Sequence, residues 1–121
     1  MSQTILTVDD SRTMRRMLKM TLEEGGYRVL EAEDGLLGLE VLKGETPDVI
    51  VTDINMPNMD GFGFIEAVRK EKRFSGVPIL VLTTESDRTL KERARVLGAT
   101  GWITKPFEQN RLVEVVRRVA A

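Results

Sequence analysis

The chain alternates five short apolar runs with five segments whose apolar residues recur at helical spacing, and nothing else in it limits the fold so tightly. The runs are Thr4–Val8, Tyr27–Ala32, Asp48–Thr52, Val77–Thr83 and Trp102–Thr104. Met14, Met17, Leu18, Thr21 and Leu22 mark the first helix face, and Leu36, Leu39 and Leu42 the second. Phe62, Ile65 and Val68 mark the third, Leu90, Ala94 and Leu97 the fourth, and Leu112, Val116 and Val119 the fifth. Strands that alternate with helices require right-handed crossovers, so the predicted class is α/β, a doubly wound five-stranded parallel sheet with helices on both faces. Val77–Thr83 is apolar enough for a central strand covered on both sides, and Pro78 is tolerated near its start.

The punctuation between the segments agrees with this pattern. Ser11 or Asp10 is placed to cap the first helix, which Gly25 and Gly26 end. Asp34 and Asp87 are predicted caps for the second and fourth helices, closed by Gly44 with Pro47 and by Gly98. The third helix is predicted from about Phe62 to Glu71. No linker, repeat or low-complexity stretch divides the 121 residues, so one domain spanning 1–121 is expected. A domain of this size buries roughly two-thirds of the surface its unfolded chain exposes.

Composition excludes several functions. A formal net charge of -1 gives no electrostatic case for nucleic acid. With no cysteine, thiolate chemistry and Cys-based metal sites are ruled out, and a reducing compartment fits. No apolar run approaches the roughly 18 residues that span a bilayer, and the first residues lack the features of a signal peptide. A cytoplasmic protein without membrane insertion is the expectation.

In an open parallel sheet, chemistry is placed at the carboxyl ends of the strands. The third strand ends in Asp53, followed by a Pro57/Asn58/Gly61 loop that neither continues a strand nor starts a helix. The same edge receives Asp9 and Asp10 from the first strand, Thr83 from the fourth and Lys105 from the fifth. Singly, each residue has an ordinary use, since acids and Thr cap helices and a lone Lys is usually solvated. Together, three carboxylates in one crevice repel one another and call for a cation or protons. An oxygen-only donor set suits a hard ion, Mg²⁺ above all. With a lysine and a hydroxyl beside it, a free carboxylate there is suited to attack phosphorus and become an aspartyl phosphate.

Asp9-Asp10, Asp53-Ile54-Asn55-Met56-Pro57, Gly61, Thr83-Thr84-Glu85 and Lys105-Pro106-Phe107 stand as they do in the receiver domains of two-component response regulators, and the chain resembles that family over its whole length. With no output domain attached, it is most similar in kind to the stand-alone chemotaxis members. The resemblance implies a flavodoxin-like (βα)5 sandwich with strand order 2-1-3-4-5. It also implies that Asp53 is the phosphoacceptor, that Asp10 binds Mg²⁺ directly, and that Asp9 binds it mostly through water. Asn55 would add its backbone carbonyl. Thr83 and Lys105 would each hold a phosphoryl oxygen, Pro106 would follow a cis peptide, and Asn55 and Glu85 would flank the path of the hydrolysing water.

By the same resemblance the chain is a phosphoacceptor signalling protein with self-catalysed phosphotransfer and slow autodephosphorylation, not a turnover enzyme. Its expected partners are a sensor histidine kinase of the chemotaxis type, the flagellar motor switch or another phospho-dependent target, and a phosphatase. It is expected to act as a monomer. Thr83 and the loop after it would be the moving part, coupled to the residue at position 102. There the family has Tyr or Phe and this chain has Trp102, which is larger and carries only a donor N–H. Arg12, Arg16 and Lys19 form a basic stripe on the first helix, suited to an acidic kinase surface.

Other functions are compatible with parts of this pattern. A single-domain receiver in a non-chemotaxis phosphorelay shares every residue of the site. A haloacid-dehalogenase-type phosphohydrolase would need a second aspartate two residues after the nucleophile, where this chain has Asn55, which cannot serve as general acid. A flavodoxin-like flavin carrier would need a Ser/Thr/Gly-rich cradle after the first strand, and Asp9-Asp10 opposes it. Gly61-Phe62-Gly63 lacks a third glycine and follows a loop, so it is no dinucleotide fingerprint.

Overall fold

The computed structural model describes residues 2–121. Five parallel strands run in the order β2-β1-β3-β4-β5. They are β1 (Thr4–Val8), β2 (Arg28–Ala32), β3 (Val49–Thr52), β4 (Ile79–Thr83) and β5 (Gly101–Thr104). The helices are α1 (Arg12–Glu24), α2 (Gly35–Gly44), α3 (Gly61–Lys70), α4 (Arg88–Leu97) and α5 (Gln109–Ala120). A 3-10 turn at Lys72–Phe74, which carries no sequence signature, follows α3 and buries Phe74. The fold is the five-stranded doubly wound sandwich expected from the alternation.

Side chains alternate across the sheet and build two cores. Leu6, Val8, Ile50, Ile79 and Val81 face α2, α3 and α4, where Leu42, Phe64, Ile65, Val68 and Ala94 meet them. Ile5, Val49, Val51, Leu80 and Leu82 face α1 and α5, where Leu18, Leu22, Leu112 and Val116 lie. With both faces covered, the strands offer chemistry only at their ends. No described helix is long and apolar enough to cross a membrane.

One predicted face is corrected. Leu36 does not point inward; it is 48% exposed, and Leu37 is 45% exposed. Asp34 caps α2 by accepting from the Leu37 N–H at 2.9 Å, and this sets a register in which Gly35, Gly38 and Leu42 are the buried residues. A Cβ at position 38 would sit 2.8 Å from the Phe64 ring. Gly38 therefore lets α2 lie close to α3, a contact that counting leucines does not reveal.

Candidate functional site

Parallel pairing aligns Val8 with Thr52 and Thr83 with Thr104, so the residues after these strands meet at one edge. Asp9 is held at every polar atom. Its N–H donates to the Ala32 carbonyl at 3.1 Å, Oδ1 accepts from the Ser11 N–H at 2.9 Å, and Oδ2 accepts from Lys105 Nζ at 2.9 Å. Its carbonyl accepts from Arg15 Nη1 at 2.7 Å. Asp53 is fixed in a similar way. Its N–H donates to the Val8 carbonyl at 2.9 Å, Oδ1 accepts from the Ile54 N–H at 2.6 Å, and Oδ2 accepts from Lys105 Nζ at 2.9 Å. The buried Thr52 hydroxyl donates to the Asp53 carbonyl at 2.8 Å.

Asp10 differs from both. Of the two candidate caps for α1, Ser11 takes the role, its hydroxyl accepting from the Met14 N–H at 3.1 Å. The exposed Asp10 carboxylate is left without a hydrogen bond from any described residue. One ligand oxygen from each of Asp9, Asp10 and Asp53 lies within 4.8 Å of the others. Lys105 sits among them with only 10% of its side chain exposed.

Burial pushes the Asp9 carboxyl above its ordinary value, outweighing the hydrogen bonds from Lys105 and Ser11 and the lysine's charge that pull it down, while the Asp53 charge adds to the rise. Burial by itself would lower Lys105, but hydrogen bonds to Asp9 and Asp53 and their charges together hold its ammonium above the usual lysine value. The site thus holds two carboxylates around one cation, with a third carboxylate nearby and uncommitted.

A second group of contacts converges on Glu85, in the loop after β4. Asn55 Nδ2 donates to Glu85 Oε1 at 3.0 Å, and Trp102 Nε1 donates to the Glu85 carbonyl at 3.0 Å. The Glu85 N–H lies 3.4 Å from the hydroxyl of the fully buried Thr83, which accepts from it. The Lys105 N–H donates to the Thr83 carbonyl at 2.7 Å, and the Lys105–Pro106 peptide is cis. The structure therefore brings Asn55, Thr83 and Trp102 together around Glu85, while Pro106 is exposed.

The loop between β3 and α3 carries Asp53 and Asn55 and is clamped at both ends. The Gly61 N–H donates to the Ile54 carbonyl at 2.8 Å, and a Cβ there would fall 2.2 Å from the Asp53 carbonyl oxygen. Asn58 adopts φ 67, a left-handed conformation its short polar side chain tolerates, and its Nδ2 donates to Asp34 Oδ2 at 2.8 Å. That bond and the one from Leu37 hold the Asp34 carboxyl below its ordinary value.

Three contributors were not picked out from the sequence. The Asp34–Asn58 clip joins residues 24 positions apart, and nothing local marks it. Arg15 stands next to the exposed Arg16, and only its position six residues after Asp9 hints that it can reach back to that carbonyl. Thr52 reads as one more strand residue, although its hydroxyl holds the Asp53 carbonyl.

Comparison with known proteins agrees with this geometry. The chain is 42% identical over 112 residues to chemotaxis protein CheY1 of Helicobacter pylori, covering 91% of this chain and 90% of that one. It superposes on the chemotaxis response regulator CheY4 of Vibrio cholerae with a TM-score of 0.93 at 41% identity, covering 98% and 99% of the two chains. The receiver domain of a sensor histidine kinase from Pseudomonas aeruginosa, with a magnesium ion coordinated in its active site cleft, matches with a TM-score of 0.91 at 26% identity over 99% and 98%. Two other relatives are longer, and the chain spans 14% of one and 47% of the other. The model of the response regulator receiver domain matches residues 5–117, and the chain belongs to that family.

Proposed function

We propose that this receiver domain, spanning 1–121, is a phosphorylation-controlled switch in which Asp53 takes a phosphoryl group from a histidine kinase. The observation that carries the proposal is the gathering of Asp9, Asp10 and Asp53 within 4.8 Å around a buried lysine 2.9 Å from two of them. The donors are carboxylate oxygens in a chain with no His or Cys, which fits Mg²⁺. Asp9, Asp10, Asp53 and the Asn55 carbonyl would hold it. When bound, Mg²⁺ neutralises charge on the phosphoryl oxygens.

The chain's own residues do the rest. An oxygen of the Asp53 carboxylate attacks phosphorus, and the bond from phosphorus to the donor's imidazole nitrogen breaks, with the electron pair leaving on nitrogen. Lys105, already bonded to Asp53 Oδ2, is placed to follow the negative charge onto a phosphoryl oxygen. The Thr83 hydroxyl accepts from Glu85 and keeps its own proton for another phosphoryl oxygen. As Thr83 shifts, the bonds that join Glu85 to Asn55 and Trp102 carry the change to the outer face of β5. Asn55, in place of a second aspartate, supplies no general acid, which favours a retained phosphoryl group over rapid turnover.

A role in chemotaxis, with a chemotaxis-type kinase upstream and the flagellar motor switch as target, is supported by relatives that are chemotaxis proteins. The test is intact-mass analysis after incubation with a small phosphoryl donor and Mg²⁺. One phosphoryl group is expected on the unaltered protein and none on Asp53→Asn, with circular dichroism unchanged. Efficient labelling of the variant at a different residue would move the site. Phosphotransfer profiling against histidine kinases then separates a chemotaxis partner from a phosphorelay partner.

A further inference from the structure

Asp10 poses a problem of aim. It is the exposed member of the acidic cluster, and no described residue donates to its carboxylate. The backbone therefore limits which of its rotamers reach the cluster. A peptide unit is planar, so the Asp9 carbonyl, the Asp10 N–H and the Asp10 Cα turn together, and whatever holds that carbonyl positions the Cα from which the Asp10 side chain departs. The group holding it is Arg15 Nη1, at 2.7 Å.

Arg15 is unlike the other arginines of α1. Arg12 and Arg16 are exposed, whereas the Arg15 side chain is 12% exposed and turns back along the helix toward its start. Glu31 lies 3.7 Å from its Nε, and Glu33 lies 3.9 Å from its Nη2. Glu31 is also 4.0 Å from Lys19. Two carboxylates, one in β2 and one just after it, thus stand beside the guanidinium at Nε and Nη2, while Nη1 reaches the Asp9 carbonyl. They offset part of its charge, and the bond from Nη1 to that carbonyl is its one hydrogen bond among the described residues.

We infer that Arg15 is a positioning residue for the metal site, holding the Asp9–Asp10 peptide so that the Asp10 carboxylate points into the acidic cluster. This rests on the proposed Mg²⁺ site and adds to it a residue that touches neither metal nor phosphoryl group. The sign of the effect separates this role from simple electrostatics. A nearby cation repels Mg²⁺, so if charge were all that mattered, removing Arg15 would tighten metal binding. If Arg15 aims a ligand, removing it weakens binding.

The experiment compares the unaltered protein with Arg15→Met and Arg15→Lys, using calorimetric Mg²⁺ titration and, separately, Mn²⁺ binding followed by the electron paramagnetic resonance of the free ion. Arg15→Met is expected to bind both ions about tenfold more weakly, the usual scale for losing a group that orients a metal ligand. Arg15→Lys, which keeps a donor on a stem of similar length, is expected to recover part of that loss and serves as the readout if the Met variant does not fold. Unchanged or tighter binding in a folded variant overturns the positioning role while leaving the metal site intact. Failure of the unaltered protein to bind either ion overturns the metal site itself, and the inference with it.

Discussion

Lys105 is the residue on which the site turns, because it is the counter-charge for two carboxylates that are themselves 3% and 12% exposed. Removing it leaves Asp9 and Asp53 with their backbone N–H partners but no counter-charge, and breaking a buried pair in this way typically costs about 3 kcal/mol. Lys105→Met is expected to show that loss in urea unfolding without metal, with saturating Mg²⁺ restoring most of it; a loss below about 1 kcal/mol would show that water already compensates the pair. The pH dependence has two opposite signs. Lys105 is raised in the fold, so its contribution is full below about 10.4, the unfolded value, and fades as pH climbs through the higher folded value. Asp9 is raised as well, so its ionisation costs stability once pH rises from about 3.9 through its folded value, and that cost is relieved at lower pH. Lys105 was legible in the sequence as a lysine at a strand end. Its double pairing was not, because it depends on how close β1 and β3 bring their terminal aspartates.

The elements were legible in proportion to how much of their packing is done by large side chains. β4 is an apolar run that ends in Thr83 and is buried at every position, and α5 shows an apolar periodicity that matches its buried face, so their placement follows from the sequence pattern. α2 shows no such match, because it packs through Gly38 on Phe64 of α3 and through Gly35 on Met59 of the loop before α3, and the small size of both glycines leaves no hydrophobic signal. The start of α3 is a similar case. In the sequence Gly61 is one member of a motif, yet its missing side chain is what allows the helix to begin directly against the Asp53 carbonyl. Gly61→Ala is therefore expected to cost about 3 kcal/mol or more, since the overlap is with backbone and cannot be relieved by a rotamer change. Because the displaced atom belongs to Asp53, phosphoryl labelling should fall along with the midpoint of urea unfolding. A variant of unchanged stability would mean that the β3–α3 loop yields more easily than its clamps indicate.

At the scale of the molecule, the two cores on either side of the sheet leave the strand ends as the place where the crossovers deliver functional groups to one edge. That much follows from the alternation of strands and helices, which is why Asp9, Asp10, Asp53, Thr83 and Lys105 could be grouped before any coordinates. α1 begins at this edge and carries Arg12, Arg16 and Lys19 exposed to solvent, with Lys19 4.0 Å from Glu31. Reversing the charges of Arg12 and Arg16 to Glu is expected to slow phosphotransfer from a kinase about tenfold by weakening electrostatic steering, while labelling by a small donor stays the same. Equal loss in both assays would remove the docking role. Raised salt should weaken the kinase reaction of the unaltered protein in the same direction.

The indole of Trp102 has a use beyond holding a loop. The chain contains one tryptophan, and its N–H is bonded to the main-chain carbonyl of Glu85, two residues past Thr83. Its emission therefore comes from a single ring attached to the backbone proposed to move. The molecule carries its own optical gauge, free of the label and of the background that other tryptophans would add.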